Sequence, residues 1–296
     1  MQKQGKIWHW LAVALLSLIW GTSYILMKKG LRSFSTYQMA SLRILISFVC
    51  LLPVALRSLP KLNKNNFRSI LIIGFFGSGI PAFLYPLAQT KIDSSLTGML
   101  NTLSSAFTLV IGIIFYKRKA IRSQIAGVFL GFLGAAGLLY SGSFNFNYYG
   151  LFVVLATLMN GISNNEVSTV EGLNGLQITS LSFFVLSPFA LALLLSTDLH
   201  AISLTPHWLQ NFSYIAILSV FGSAFANAIY YFLVRDTSPM VASVVAYFIP
   251  IVATMWGLSD NEHPAPTMFI SVLLILSGVY LINRPDALRK IKKMLG

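Results

Sequence analysis

The stretch WHWLAVALLSLIWGTSYILMKK, Trp8 to Lys29, sets the terms for the whole chain. From Trp8 to Met27 it is apolar over about the 20 residues that a helix needs to cross a bilayer core. Lys3 and Lys6 precede it, in the manner of a secretory leader. The run is too long for an ordinary leader core, however, and it ends on Lys28 and Lys29 instead of a small-residue cleavage site. It reads as a first, retained transmembrane helix. Nine further runs follow: Tyr37 to Leu56, Ile70 to Leu87, Ser95 to Phe115, Gln124 to Tyr140, Tyr148 to Asn165, Leu176 to Leu195, Phe212 to Leu233, Met240 to Leu258 and Met268 to Ile282. The separators are short and carry turn or charge signals, as in Lys61 to Asn66, Ser141 to Asn147 and Asp260 to Pro266. The expected fold is all-α, a polytopic membrane protein with ten transmembrane helices.

Composition points the same way. Of 296 residues, 56% are hydrophobic and 10% are charged, against about 25% charged in soluble domains. The net charge of +13 does not indicate nucleic acid. Its cations sit in short clusters between apolar runs, such as Lys117, Arg118, Lys119 and Arg122, and form no basic face interleaved with aromatics. They suit the fixing of membrane orientation. Sixteen Lys and Arg fall at the N-terminus, in the even-numbered loops and at the C-terminus; four fall in the odd-numbered loops, and Arg43 lies inside a span. This asymmetry puts both termini in the cytoplasm. The loop Glu166 to Gly175 adds nothing to it, having two Glu and no Lys or Arg. Cys50, the single cysteine, makes no internal disulfide or metal site and is expected to be a small buried hydrophobe.

The second half echoes the first. Phe76-Gly77-Ser78 matches Phe221-Gly222-Ser223 at an offset of 145, as do Tyr85 with Tyr230 and Gly112 with Gly257. Gly21 pairs with Gly161, Gln38 and Ser41 with Gln177 and Ser180, and Gly134 with Gly278, at slightly smaller offsets. Residues 1–145 and 146–296, the latter with a basic tail, are therefore expected to be two five-helix repeats. Five is odd, so the second copy enters from the opposite face, giving inverted topology with a solute site near the midplane.

Polar residues inside the spans fall on helical stripes. These are Ser78, Ala82, Tyr85 and Gln89 in the third span; Ser223, Asn227 and Tyr230 in the eighth; Thr97, Asn101, Ser104 and Thr108 in the fourth; and Ser243, Tyr247, Pro250 and Thr254 in the ninth. The first has Ser17, Trp20 or Gly21, and Tyr24; the sixth has Thr157, Asn160 or Gly161, and Asn164. Amides and phenols are costly against lipid, so the stripes should face a shared cavity or hydrogen-bond between packed helices. Candidate solute-binding residues are Trp20, Tyr24, Arg43, Tyr85, Asn101, Asn160, Asn164, Asn227, Tyr230 and Tyr247. Arg43, the one deep cation, either serves the site or snorkels to the outer headgroups.

The second, fifth, seventh and tenth spans read as scaffold. In the fifth, Gly127, Gly131, Gly134 and Gly137 permit close helix approach, so Gly131→Leu should damage folding. Pro81, Pro86, Pro188 and Pro250 permit kinks. Every Asp, Glu and His lies in a loop or near a span end, so no intramembrane proton relay is legible.

Ile19-Trp20-Gly21-Thr22-Ser23, Ser41-Leu42-Arg43-Ile44, Ile249-Pro250-Ile251, Glu262 nine residues before Ser271, and Leu276-Ser277-Gly278-Val279-Tyr280-Leu281 give the chain a family likeness. In their order and spacing it resembles the EamA family of the drug/metabolite transporter superfamily over nearly its whole length. The resemblance implies ten helices in two inverted halves and export or exchange of amino acids or related metabolites. It also implies a cavity lined by the first, third, fourth, sixth, eighth and ninth helices. Departures from the family pattern are Arg118 where a Glu is frequent, Ser105 where Pro is common, Ser271 where Gly is common, and the missing cations after the sixth helix.

The function expected is an exporter of small amphipathic metabolites, working by alternating access in a bacterial plasma (inner) membrane. Its partners are the solute and membrane lipid, with no nucleic acid; it needs no cofactor or metal and is a monomer or weak homodimer. A membrane-embedded enzyme would need a catalytic constellation, and none is legible: HExxH is absent and no carboxylate pair faces a cavity. A purely structural membrane protein would not need polar stripes on six helices.

Overall fold

The computed structural model describes residues 2–140, 147–203 and 205–295. Most of the separator expected at Ser141 to Asn147, with the expected repeat boundary, lies outside the described residues. Among those described the chain is helical and has no strand. Nine helices are long and apolar enough to cross a membrane: α1 (Ile7–Gly30), α2 (Thr36–Lys61), α3 (Lys64–Gln89), α4 (Ser94–Ile114), α5 (Arg122–Leu139), α7 (Gly175–Leu195), α8 (Trp208–Asp236), α9 (Pro239–Ser259) and α10 (Pro266–Asn283). Between α5 and α7 lies α6 (Gly150–Val167), a continuous helix of 18 residues whose apolar character is diluted by Asn160, Asn164, Asn165 and Glu166.

Local chemistry explains why pairs of elements recur. α2 starts in a capping box: Ser35 Oγ accepts from the Gln38 amide (3.3 Å) and Gln38 Oε1 accepts from the Ser35 amide (2.9 Å). α7 starts the same way, with Asn174 and Gln177 exchanging both bonds at 2.9 Å. The echo of Gln38 in Gln177 is thus an echo of helix starts, where side chains satisfy orphan backbone donors.

Irregular backbone recurs too. α3 widens into a π-helical stretch at Gly74–Gly79, and α8 does so at Leu218–Phe225. Both stretches contain the repeated Phe-Gly-Ser. In α3, Pro81 follows directly and cannot donate to the carbonyl four residues earlier. α4 breaks at Thr102, between helical segments Ser94–Asn101 and Leu103–Ile114. α9 tightens into a 3-10 turn at Ser243–Tyr247, ahead of Pro250. Such departures inside helices commonly accompany functional sites.

Packing separates scaffold from interior. α5 lies against α10 so closely that a Cβ on Gly127 would sit 2.4 Å from the Gly278 carbonyl oxygen, and one on Gly278 would sit 2.4 Å from the Gly127 oxygen. Gly131 is looser: its added Cβ would meet Ala106 at 3.6 Å, an ordinary contact. An added Cβ is therefore tighter at Gly127, Gly134 and Gly278 than at Gly131. α2 buries Ser41, Ile44, Ser47, Leu51 and Ala55 along one stripe. Its other face is exposed, and Cys50 lies there, not buried as the sequence suggests. In a helix facing lipid, an apolar residue has no need of the interior. Large exposed apolar residues such as Val49, Phe129, Phe189 and Leu273 continue this outer surface.

Candidate functional site

The helices enclose one cavity of about 100 Å³ lined by polar and aromatic side chains. One ordered water needs roughly 10–15 Å³ of such space, so several waters or a small solute fit. Nine of the ten expected site residues line it: Trp20, Tyr24, Arg43, Tyr85, Asn101, Asn160, Asn164, Asn227 and Tyr230. Tyr247 does not; it closes the 3-10 turn of α9 and packs half-buried against the main apolar core.

Hydrogen bonds hold these side chains in fixed relation. The Tyr85 phenol donates to Asn101 Oδ1 (2.6 Å) and accepts from Asn160 Nδ2 (2.9 Å), joining α3, α4 and α6 at one oxygen. Asn227 Nδ2 donates to Ser78 Oγ at 3.1 Å, joining the two π-distorted helices. Trp20 Nε1 donates to the Gly222 carbonyl at 3.1 Å. Aromatic pairs add packing: Trp20 with Tyr230 at 5.0 Å between centroids, and Tyr24 with Tyr85 edge-on at 6.0 Å.

Arg43 turns into the helix bundle. Its Nε donates to Ser223 Oγ at 2.6 Å, across to α8, and its side chain lines the cavity. α2 is therefore not pure scaffold, and α7 also reaches the cavity through Phe183. α5 and α10 contribute no lining residue.

The stripes divide. Trp20 lines the cavity, whereas Gly21 meets Val252; Asn160 lines it, whereas Gly161 meets Phe107 on α4. Ser17, Thr97, Thr108 and Thr157 bond to backbone carbonyls and line nothing. Asn165 Nδ2 ties α6 to the Thr108 carbonyl at 2.8 Å. Sequence reasoning missed Ser163 and Tyr231, which line the cavity and meet at 3.4 Å. Ser163 is three residues after Asn160, a helical neighbour that the stripe rule could have included.

Beyond the cavity, charge gathers at the helix ends. Glu262, 4% exposed, receives Lys28 Nζ (2.8 Å), the Ser94 amide (2.9 Å), Ser94 Oγ (2.7 Å) and the Ser95 amide (2.9 Å). It thus caps the start of α4 and ties that start to the end of α1. Burial pushes the Glu262 carboxyl up, but the bonds from Lys28, Ser95 and Ser94 outweigh it and hold the group at about 2. Asp93 beside it is raised, by burial first and then by the Glu262 charge. Lys28 also pairs with Asp260 at 3.0 Å. At the other ends of these helices, Glu166 on α6 accepts from Ser69 (2.6 Å) and from Tyr116, and His9 pairs with Asp236.

The EamA-like transporter family matches residues 7–140 and again 147–284. An uncharacterized transporter of Archaeoglobus fulgidus is 23% identical over 278 residues, covering 93% of this chain and 98% of its own. The uncharacterized inner membrane transporter YedA of Escherichia coli K12 is 24% identical over 286 residues, covering 91% of each chain. A solved crystal structure aligns with a TM-score of 0.63 at 14% identity, over 92% of this chain and 94% of that one, and this likeness bears on the fold alone. With two matches that together take in nearly all of its length, and with membrane-spanning helices in both, the chain belongs to the EamA-like transporter family and is an integral membrane transporter.

Proposed function

We propose that this transporter moves small amphipathic organic solutes, amino acids or related metabolites, outward across a bacterial plasma (inner) membrane by alternating access around the cavity. The observation that carries this reading is the cavity itself. It is lined from both halves of the chain, by α1, α2, α3 and α4 of the first and by α6, α7, α8 and α9 of the second. In this reading α6 is a tenth span, the halves are inverted repeats and both termini are cytoplasmic. The inner-membrane wording in the name of the Escherichia coli relative supports the location. The working unit is a monomer or weak homodimer in lipid, and the ten residues named from the sequence form or flank the binding site.

The recurring π and 3-10 segments support the mechanism. Those of α3, α8 and α9 include the cavity-lining Gly77, Ser78, Ser223, Ser243, Val245 and Ala246, and irregular backbone is tolerated at membrane depth only where protein or a water-filled space surrounds it. Phenols and indoles offer an apolar ring with one polar handle, and amides add directional donors and acceptors, a lining suited to amphipathic solutes.

The test is solute flux in proteoliposomes, screened over amino acids and related metabolites. Tyr85→Ala, Tyr230→Ala and Asn101→Ala should each lower flux or change solute preference while protein yield and melting temperature change less. Wild-type flux in all three, with normal folding, would remove the cavity from the mechanism.

A further inference from the structure

The cavity carries an unbalanced charge. Arg43 is its only charged lining residue among those described. Among the described residues no Asp or Glu lines it, and four of the acids are engaged elsewhere: Glu262 and Asp260 by Lys28, Asp236 by His9, and Glu166 by Ser69 and Tyr116. Arg43 spends its Nε–H on Ser223, and among the described residues its two Nη groups meet no protein acceptor. A guanidinium does not lose its proton in proteins. A cation held at this depth without a counter-charge is costly, and an anion that enters beside it relieves that cost.

The shape of the donor narrows the anion. Two Nη groups in a planar fork match the two oxygens of a carboxylate. Ser223 fixes the guanidinium at its Nε edge and leaves the Nη edge for a ligand. One positive charge balances one negative charge, so a dianion leaves the site negative and a zwitterion leaves it positive. An ammonium group would find phenols, amides and ring faces here, but no carboxylate. The rings of Trp20, Tyr24, Tyr85 and Tyr230 supply the apolar remainder of the site.

We propose that the solute is a small organic monocarboxylate with an apolar body and no full ammonium, its carboxylate held by the Nη edge of Arg43. This assignment rests on the carrier reading above and narrows its solute class.

Two matched series of probes test it. The first is 3-phenylpropionate, its neutral amide, phenylalanine and phenethylamine; the second is 4-methylpentanoate, its amide, leucine and isopentylamine. Purified full-length protein in detergent at pH 7.5 is melted with each. In at least one series the carboxylate should stabilise the wild type most, the amide and amino acid less, and the amine least. Arg43→Gln should weaken the carboxylate by roughly tenfold or more, to the level of its amide, since hydrogen bonds to a charged group have about that worth. Should Arg43→Gln not fold, Arg43→Lys and Ser223→Ala carry the test: the first keeps the charge without the fork, the second keeps the fork without its anchor. Each should weaken the carboxylate by about 3- to 10-fold and leave the amide unchanged. The assignment is overturned if neither carboxylate stabilises more than its amino acid and amine, or if all the folded Arg43 and Ser223 variants bind the carboxylate like wild type. That failure, joined to lost flux in Tyr85→Ala and Asn101→Ala, leaves the carrier reading intact. Unchanged flux in those two variants counts against the carrier cavity itself.

Discussion

Glu262, in sequence only one element of a family likeness, proves well connected in the structure. Apart from its spacing to Ser271, the sequence marks it only as a peripheral acid in a loop of turn residues. The structure buries it and gives it four donors from two other helices. A carboxylate at a helix N-terminus also meets the positive end of the helix dipole. Because its folded pKa, about 2, lies below the unfolded value, the stability it contributes is present above that unfolded value, about 4.3, and fades as pH falls toward 2. At neutral pH the increment is on the order of 2–3 kcal/mol. Melting of wild type and Glu262→Gln in detergent should therefore differ fully at pH 7, and the gap should narrow at pH 3.5. A gap that stays constant over that range would mean that the ionised carboxylate contributes nothing specific. Tyr85, Asn101 and Asn160, by contrast, were legible in advance. Amides and phenols are rare enough inside apolar runs that helical spacing alone brings them to one side. Arg43 was legible only as a deep cation; its partner Ser223 lies 180 residues away, and no periodicity within a helix links two helices.

At the scale of the element, the apolar runs and their order were readable because lipid allows only long, internally satisfied helices. Where those helices deform was less readable. Pro81, just past the π-helical stretch, announces irregularity in α3, yet α8 contains no proline at all. Its π-helical stretch was foreshadowed only by the repeat, through Phe221-Gly222-Ser223. Glycine spacing likewise named the right helix but not the right residue. The approach of α10 bears hardest on Gly127 and Gly134, whose added Cβ atoms would strike the backbone oxygens of Gly278 (2.4 Å) and Ser271 (2.5 Å), and least on Gly131. Backbone cannot swing aside, so α5 and α10 would have to part. Gly127→Ala should cost roughly 1–3 kcal/mol, seen as a lower melting temperature and poorer yield in membranes. Gly131→Ala should fall within about 1 kcal/mol of wild type, because its new methyl meets Ala106 at van der Waals distance. Equal loss in the two variants would show that the α5–α10 contact is looser than these distances say.

For the whole molecule, the expectation for direction across the membrane rests on the distribution of Lys and Arg. Sixteen Lys and Arg against four, counted between the two sets of loops and termini, lead us to expect the N-terminus, the α2–α3 loop and the C-terminus on the cytoplasmic side. The ion pairs agree with a two-faced molecule. Lys28, Asp260 and Glu262 gather at the end of α1 and in the α9–α10 connection, while His9 meets Asp236 at the opposite ends of α1 and α8. If α6 spans the membrane as the tenth helix, the α9–α10 connection lies outside and the α2–α3 loop inside. If α6 does not span, everything after it changes side: the α9–α10 connection moves to the cytoplasm and the C-terminus moves out. Single cysteines at Asn65 and His263, both exposed, in a Cys50→Ala background separate these cases. An impermeant thiol reagent added to intact cells should label the His263→Cys protein and spare the Asn65→Cys protein until the cells are opened. Labelling of neither would fit nine spans with a cytoplasmic N-terminus. Labelling of Asn65→Cys alone would reverse the orientation that the basic residues dictate.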